Sequence, residues 1–336
     1  MELKDPTRRR HLRAEVWYPT DEADGPVTYS AVVGQTPVEL PGTAKRDALE
    51  TDQTYPLIII SHGQPGTRYQ FAYLGENLAS QGFVVASLDH TGSTYQDMTA
   101  EAYLSSLVYR PEDILFALAE VPKRMKSADG DTIGLIGYSY GGYSVINAAG
   151  APLDGQAFDA FCDYVGGGGP CFARPAFSGL EAARGDAIEV DPRIKAVFVM
   201  APYGQPWFGK ASLARLKVPF FVASGDADDV ASYLLNAAMF FSSAGSRDKY
   251  LLTLRGGQHN PFAECPEEIE VAERCGDPVW EQEEAHTLIE SVATAFFATF
   301  LQGQRESRRY LSPALPGLNP GERPAVTLET SQSMMQ

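Results

Sequence analysis

Basic residues are scarce in this chain. Across 336 residues, 27 Lys and Arg stand against 43 Asp and Glu, a formal net charge of −16. A duplex nucleic-acid binder needs a basic footprint, and so does a protein that docks on anionic lipid, so neither partner is expected. The acidity is read as solubility alone. Long apolar runs are missing too. None approaches the roughly 20 residues that span a bilayer, so no integral membrane protein is expected. The first residues, Met1-Glu2-Leu3-Lys4-Asp5, are charged and lack the apolar stretch of a signal peptide.

Cysteine is sparse, with four in all, and they fall as two local pairs: Cys162 with Cys171 and Cys265 with Cys275. Four cysteines allow three connectivities. Local pairing is favoured because each pair lies in a Gly/Pro-rich loop that must hold its own shape. Each such bridge contributes about 2.5 kcal/mol through loop-closure entropy. Two disulfides point to a secreted or periplasmic protein whose leader is absent from this chain; free buried cysteines in a cytoplasmic protein are the alternative. No CxxC spacing occurs, and only His259 or His286 lies near the second pair, so no metal site is expected.

What is present is a run of buried-strand signatures. Segment 11–18 alternates as a half-exposed strand does, and one more strand is expected near Tyr29–Val33 inside the loop-rich stretch 19–56. Pro56-Leu57-Ile58-Ile59-Ile60-Ser61 is a short continuous apolar run of the kind buried on both faces of a parallel sheet. Similar runs follow at 83–89, 132–138, 194–200, 218–224 and 249–254. Helical patterns lie between them at 69–81, 98–108 and 111–122, with a long amphipathic one at 282–302. Strands alternating with helices imply right-handed crossovers and a parallel sheet, hence an α/β fold. Residues 151–190, with Gly166–Gly169 and Pro170, read as a cap inserted above the sheet, and 304–336 as a polar, Pro-rich wrapping tail. One domain with a cap fits this order better than two domains.

The strongest chemical signal is Gly137-Tyr138-Ser139-Tyr140-Gly141, directly after a buried strand and before a helical run. This is the G-x-S-x-G context in which a strained turn exposes a serine hydroxyl at a helix N-terminus. A nucleophilic serine needs a base and an orienting carboxylate, which follow it in this fold in the order acid, then histidine. Of five histidines only His259 and His286 follow Ser139. His259 sits in a loop directly after strand 249–254, where catalytic groups gather in open α/β sheets. His286 lies within the last helix and is set aside as a packing residue. Strand 218–224 ends in Gly225-Asp226-Ala227-Asp228-Asp229. The G-x-x-D spacing favours Asp228 as the acid, with Asp226 next. An oxyanion hole needs backbone N–H groups, expected from Tyr140 and from Gln64 in Ser61-His62-Gly63-Gln64-Pro65, since Pro65 has no N–H.

With these motifs, with Ser61-His62-Gly63 after the first core strand, and with Leu78–Ala86 leading into the second, residues 5–305 resemble the α/β-hydrolase superfamily. More narrowly they are similar to its dienelactone-hydrolase-like branch, which includes platelet-activating-factor acetylhydrolases. The resemblance implies carboxylic-ester hydrolysis through an acyl-enzyme, with no cofactor. Two departures stand out. Those acetylhydrolases carry their acid just after the strand that follows the nucleophile helix, where this chain has Ala201-Pro202-Tyr203. The small dienelactone hydrolases use cysteine where Ser139 stands.

Tyr138, Tyr140, Tyr203 and Trp207 lie near the expected mouth, with Tyr203 and Trp207 as candidate substrate contacts and core or lid packing as the other reading. An aromatic cleft suits a neutral small-molecule or polymeric ester, such as an aryl ester or polyester. An amidase or peptidase, or a lipid acylhydrolase, on the same fold is the alternative.

Overall fold

The computed structural model describes residues 1–23, 25–168, 171, 173, 174, 177, 190–266, 275–315 and 326–331. Its strands are β1 (Glu2–Asp5), β2 (Arg10–Trp17), β3 (Val27–Val33), β4 (Thr36–Gly42), β5 (Tyr55–Ser61), β6 (Val84–Asp89), β7 (Ala128–Tyr138), β8 (Ile194–Met200), β9 (Phe220–Gly225), β10 (Lys249–Leu254) and β11 (Val326–Thr330). Its helices are α1 (Ala72–Ser80), α2 (Ala100–Arg124), α3 (Tyr140–Ala148), α4 (Gly155–Val165), α5 (Lys210–Leu213), α6 (Ala237–Ser243) and α7 (Gln282–Phe300).

A nine-stranded sheet runs in the order β1-β2-β6-β5-β7-β8-β9-β10-β11. Strands β6 to β10 in that order are parallel, and β1, β2 and β11 close the edges antiparallel. From β5 the chain steps to β6 on one side, then crosses back to β7 on the other. The switch point therefore lies between β5 and β7, and open α/β sheets form their crevice at the C-terminal strand ends beside such a point.

The continuous apolar runs are explained by coverage of both faces. Leu57 and Ile59 of β5 face α2 and α3, while Ile58 and Ile60 face α1 and α7. Each central strand thus feeds two apolar layers with alternate residues.

Helix α2 departs from the sequence expectation. Two helices divided near Pro111 were expected, but one 25-residue helix runs through it. Pro111 has no N–H for the carbonyl of Leu107, which would ordinarily break the helix. The Tyr143 hydroxyl donates to that carbonyl at 2.5 Å and takes the missing partner's place. Strand β4, which the sequence reading placed in a loop, holds Pro37 and Pro41 in a two-stranded hairpin with β3, where one edge needs no ladder donors.

Of the expected tail, 305–311 forms a 3-10 turn and 326–330 supplies edge strand β11. Residues 316–325 and 332–336 lie outside the described residues, as do 169–170, 172, 175–176 and 178–189 of the expected cap. Among the described residues no helix is long and apolar enough to cross a membrane.

Candidate active site

The segment Gly137–Gly142 forms a turn that only glycines allow. A Cβ on Gly137 would stand 2.3 Å from the Gly141 carbonyl oxygen, and one on Gly141 would stand 2.0 Å from the Ser61 carbonyl oxygen. With these contacts closed, Ser139 is held at φ 53°, ψ −120°, a conformation that costs a non-glycine residue about 1–3 kcal/mol. Its N–H donates to Met200 O at 2.9 Å, and its carbonyl accepts from Gly142 N and Tyr203 N at 2.9 and 3.0 Å. The strained residue is thereby fastened to the ends of β7 and β8 and to the start of α3.

His259 stands in the loop after β10. Its Nε2 lies 3.0 Å from Ser139 Oγ and its Nδ1 lies 2.8 Å from Asp228 Oδ2. Asp228, beyond the end of β9, also accepts from Val230 N at 2.9 Å and Ala231 N at 2.7 Å through Oδ1. Its side chain has no accessible surface and that of His259 is 7% exposed. Asp226 serves elsewhere: its carboxylate accepts from Gly256 N at 2.6 Å and Arg255 Nη1 at 3.0 Å, tying the end of β9 to the turn that leads to His259. Asp229 is exposed. The loop is further held by Tyr138, whose hydroxyl lies 3.2 Å from His259 O and 3.1 Å from Asn260 Oδ1. Burial, and next the Asp228 charge, push the Tyr138 hydroxyl well above its ordinary pKa, so it stays a donor.

Gln64 and Tyr140 lie after β5 and at the first position of α3, on either side of the switch point. Neither backbone N–H has an acceptor among the described residues. The intervening Gly63 N–H is committed to Gln70 Oε1 at 3.0 Å.

The aromatic residues divide. Tyr138 and Tyr140 are buried, and Tyr203 is half-buried with its N–H on Ser139. Trp207 corrects the sequence reading of a mouth residue. Gly204, at φ 92°, turns the chain inward, and Trp207 has no accessible surface; it packs edge-on against Tyr140, Tyr143 and Tyr203. It packs beneath the residues that carry Ser139 and Tyr203. His286 stacks on Tyr73 at 3.6 Å between centroids, and burial pushes it down to about 4. A cleft of about 490 Å³ opens at the other end of the sheet, where β6 begins, and includes none of these residues.

Both disulfides pair locally, Cys162–Cys171 at the end of α4 and Cys265–Cys275 a few residues beyond His259. Sequence reasoning missed Arg110, which reaches from α2 into the loop after β5. Its signal was a cation among the apolar residues Leu107, Ile114, Ala117, Leu118 and Val121 of a helix face that also buries Ser106 and Asp113.

A mostly parallel sheet with this switch point, carrying a serine on a strained strand-to-helix turn, defines an α/β-hydrolase, and the chain belongs to that superfamily. A family model described as platelet-activating factor acetylhydrolase, isoform II, matches residues 20–104, and one described as prolyl oligopeptidase family matches residues 69–166. Cutinase est2 of Thermobifida alba is 26% identical over 210 residues, 62% of this chain and 54% of its own length. Cutinase 2 of Thermobifida cellulosilytica is 25% identical over 210 residues, 62% of each chain. Platelet-activating factor acetylhydrolase of Canis lupus familiaris is 30% identical over 146 residues, 30% of this chain and 33% of its own. The chain thus spans less than two thirds of the length of each of these relatives.

Proposed function

We propose that the protein is a serine hydrolase that cleaves carboxylic esters through an acyl-enzyme. The observation that carries the reading is the continuous Asp228–His259–Ser139 chain of hydrogen bonds at the C-terminal end of the sheet. Ser139 Oγ attacks the ester carbonyl carbon and its proton passes to His259 Nε2. The carbonyl π electrons move onto oxygen, where the Gln64 and Tyr140 N–H groups receive them. Collapse of the tetrahedral species expels the alcohol, which takes the proton from His259. Water then repeats the sequence on the acyl-enzyme and releases the acid. Asp228 fixes the Nδ1–H tautomer and stabilises the imidazolium.

Relatives named as cutinases and acetylhydrolases support esters over other acyl compounds, and the cutinases favour a polymeric or long-chain neutral ester. Tyr203, half-buried beside Ser139, is the contact we assign to the acyl or alcohol group. We also propose that 151–190 forms a cap on a single hydrolase domain, and that the two disulfides reflect a secreted or periplasmic site of action. The match to a prolyl oligopeptidase model across residues 69–166 favours a second reading, an amidase or peptidase.

Turnover of p-nitrophenyl butyrate beside the corresponding anilide separates the two. Ser139→Ala should lower ester turnover by at least about 10⁴-fold and abolish fluorophosphonate labelling. Retained turnover in that variant rejects the mechanism, and faster anilide cleavage selects the second reading.

A further inference from the structure

We propose that Arg110 is the positioning residue of the oxyanion hole, holding both donor segments from one buried guanidinium. The role rests on the serine-hydrolase reading above. Arg110 has no accessible surface. Its Nη1 donates to Gly63 O and to Gln64 Oε1, each at 3.1 Å, and its Nη2 donates to Ser61 Oγ at 2.9 Å and to His62 O. Four consecutive residues leaving β5, ending at the Gln64 donor, are held by this one side chain. The same guanidinium lies 5.2 Å from the centroid of the Tyr140 ring, so the residue carrying the second donor rests on it as well. The two donors belong to different elements, and Arg110 joins them.

The charge itself argues for function. Burial pushes the Arg110 pKa down to about 10, which leaves it cationic at neutral pH. Among the described residues it makes no carboxylate ion pair, only hydrogen bonds to neutral oxygens. A buried cation with neutral partners is costly, and an apolar side chain would fill this stripe of α2 more cheaply. The cost has a return where negative charge develops in a dry site nearby.

A buttress stands behind it. Ser61 Oγ lies 2.9 Å from His90 Nε2, and His90 Nδ1 lies 3.1 Å from Asp113 Oδ2. Burial pushes His90 down to about 4, so its ring is neutral. With Nδ1–H donating to Asp113, Nε2 accepts from the Ser61 hydroxyl, whose free lone pair accepts from Arg110. Asp113 is held in turn by Arg8 Nη1 at 3.0 Å and by Arg10 Nε and Nη2 at 2.7 Å. This chain has the residue types of a catalytic triad. Ser61, His90 and Asp113 have no accessible surface, however, and no substrate reaches Ser61. It is a rigid strut that sets where Arg110 holds the loop.

The test uses Arg110→Met, Arg110→Lys and Ser61→Ala in the full chain, with p-nitrophenyl butyrate as substrate. Phenylboronic acid, whose Ser139 adduct places an oxygen in the hole, is the second readout. Arg110→Met should lower kcat about 100-fold with KM within about twofold, in the range of losing one oxyanion donor. Arg110→Lys keeps the charge but not the fork and should lose about tenfold, and Ser61→Ala about fivefold. Boronate inhibition should weaken in the same order. A folded Arg110→Met with unchanged kcat, or a loss confined to KM, overturns the proposal. If Arg110→Met does not fold, Arg110→Lys and Ser61→Ala decide, and unchanged kcat and boronate affinity in both overturn it. A wild-type protein that neither turns over the ester nor takes a fluorophosphonate on Ser139 refutes the hydrolase reading instead.

Discussion

Replacing Asp228 with Asn discriminates between the competing carboxylates. In the native site Oδ1 accepts two backbone N–H groups, from Val230 and Ala231, and Oδ2 accepts His259 Nδ1. An amide has one acceptor oxygen. The two backbone donors claim it, because the reverse orientation would set an NH2 group against two buried N–H groups and leave them unpaired. The amide nitrogen then faces His259 Nδ1 and donates to it. The ring proton moves to Nε2, where it points at Ser139 Oγ, and the imidazole can no longer take the serine proton. The expected loss is roughly 10⁴ in kcat/KM, about 5.4 kcal/mol at 1.36 kcal/mol per tenfold. Asp226→Asn keeps the relay and loses only the ties to Gly256 and Arg255, so it should cost less than about tenfold in rate and about 1 kcal/mol in stability. The assay is kcat/KM on p-nitrophenyl butyrate across pH 6–9, with urea unfolding of each variant. Asp228→Asn within tenfold of wild type, or a larger loss in Asp226→Asn, refutes the reasoning.

Gly141→Ala places a Cβ 2.0 Å from the Ser61 carbonyl oxygen, backbone against backbone, and should destabilise by about 3 kcal/mol in urea unfolding and lower kcat by displacing the loop after β5. Cys162→Ser with Cys171→Ser should cost about 2.5 kcal/mol. Cys265→Ser with Cys275→Ser should cost a similar amount and also lower kcat, since that bridge follows the His259 loop; crossed pairs in non-reducing peptide mapping would contradict both. Burial, with Glu76 and Glu290 adding repulsion, raises Glu264 to about 7 against the opposing bonds from Tyr73 N–H and Gln282. The folded state therefore holds a proton that the unfolded chain releases near its ordinary carboxyl value. Stability falls as pH rises from about 4.5 to 7, and Glu264→Gln should remove that slope in thermal melts; a parallel slope in wild type and variant rejects the assignment.

The parallel core was legible because its signal is local. Ile58–Ile60, Val84–Val85 and Val197–Val199 are buried on both faces, and such runs need no alternation. The serine turn was legible because its glycines are forced by close approach within a few residues and by the neighbouring strand end. The continuity of α2 was not, because it depends on a hydroxyl from Tyr143, 36 positions away from the carbonyl it satisfies. Trp207 looked like a cleft aromatic because composition says nothing of direction; the turn at Gly204 decides it. Edge strands β4 and β11 escaped because an edge tolerates proline and polar residues that a central strand excludes. Arg110 escaped for the opposite reason: periodicity marks a core face but not the polar exceptions on it.

The end of β8 explains why the carboxylate stands on β9. The resemblance to acetylhydrolases implies an acid after the strand corresponding to β8, where Ala201-Pro202-Tyr203 occur here. Ala201, at φ 40°, has no accessible surface, and its N–H donates to Ala223 O at 2.7 Å. Pro202 closes against Gly142, where a Cβ would stand 2.7 Å away, and the Tyr203 N–H holds the Ser139 carbonyl. That strand end is the floor of the serine turn, and a charged side chain at Ala201 would be buried against it without a partner. The end of β9 is joined instead to the histidine loop. Ala227 N donates to Gly257 O at 3.0 Å, Asp226 accepts from Gly256 N, and Gly225 packs so closely on Gly257 that a Cβ would stand 2.0 Å from its carbonyl oxygen. Asp228 and His259 therefore sit on two segments fastened backbone to backbone, which sets the geometry of the bond between them.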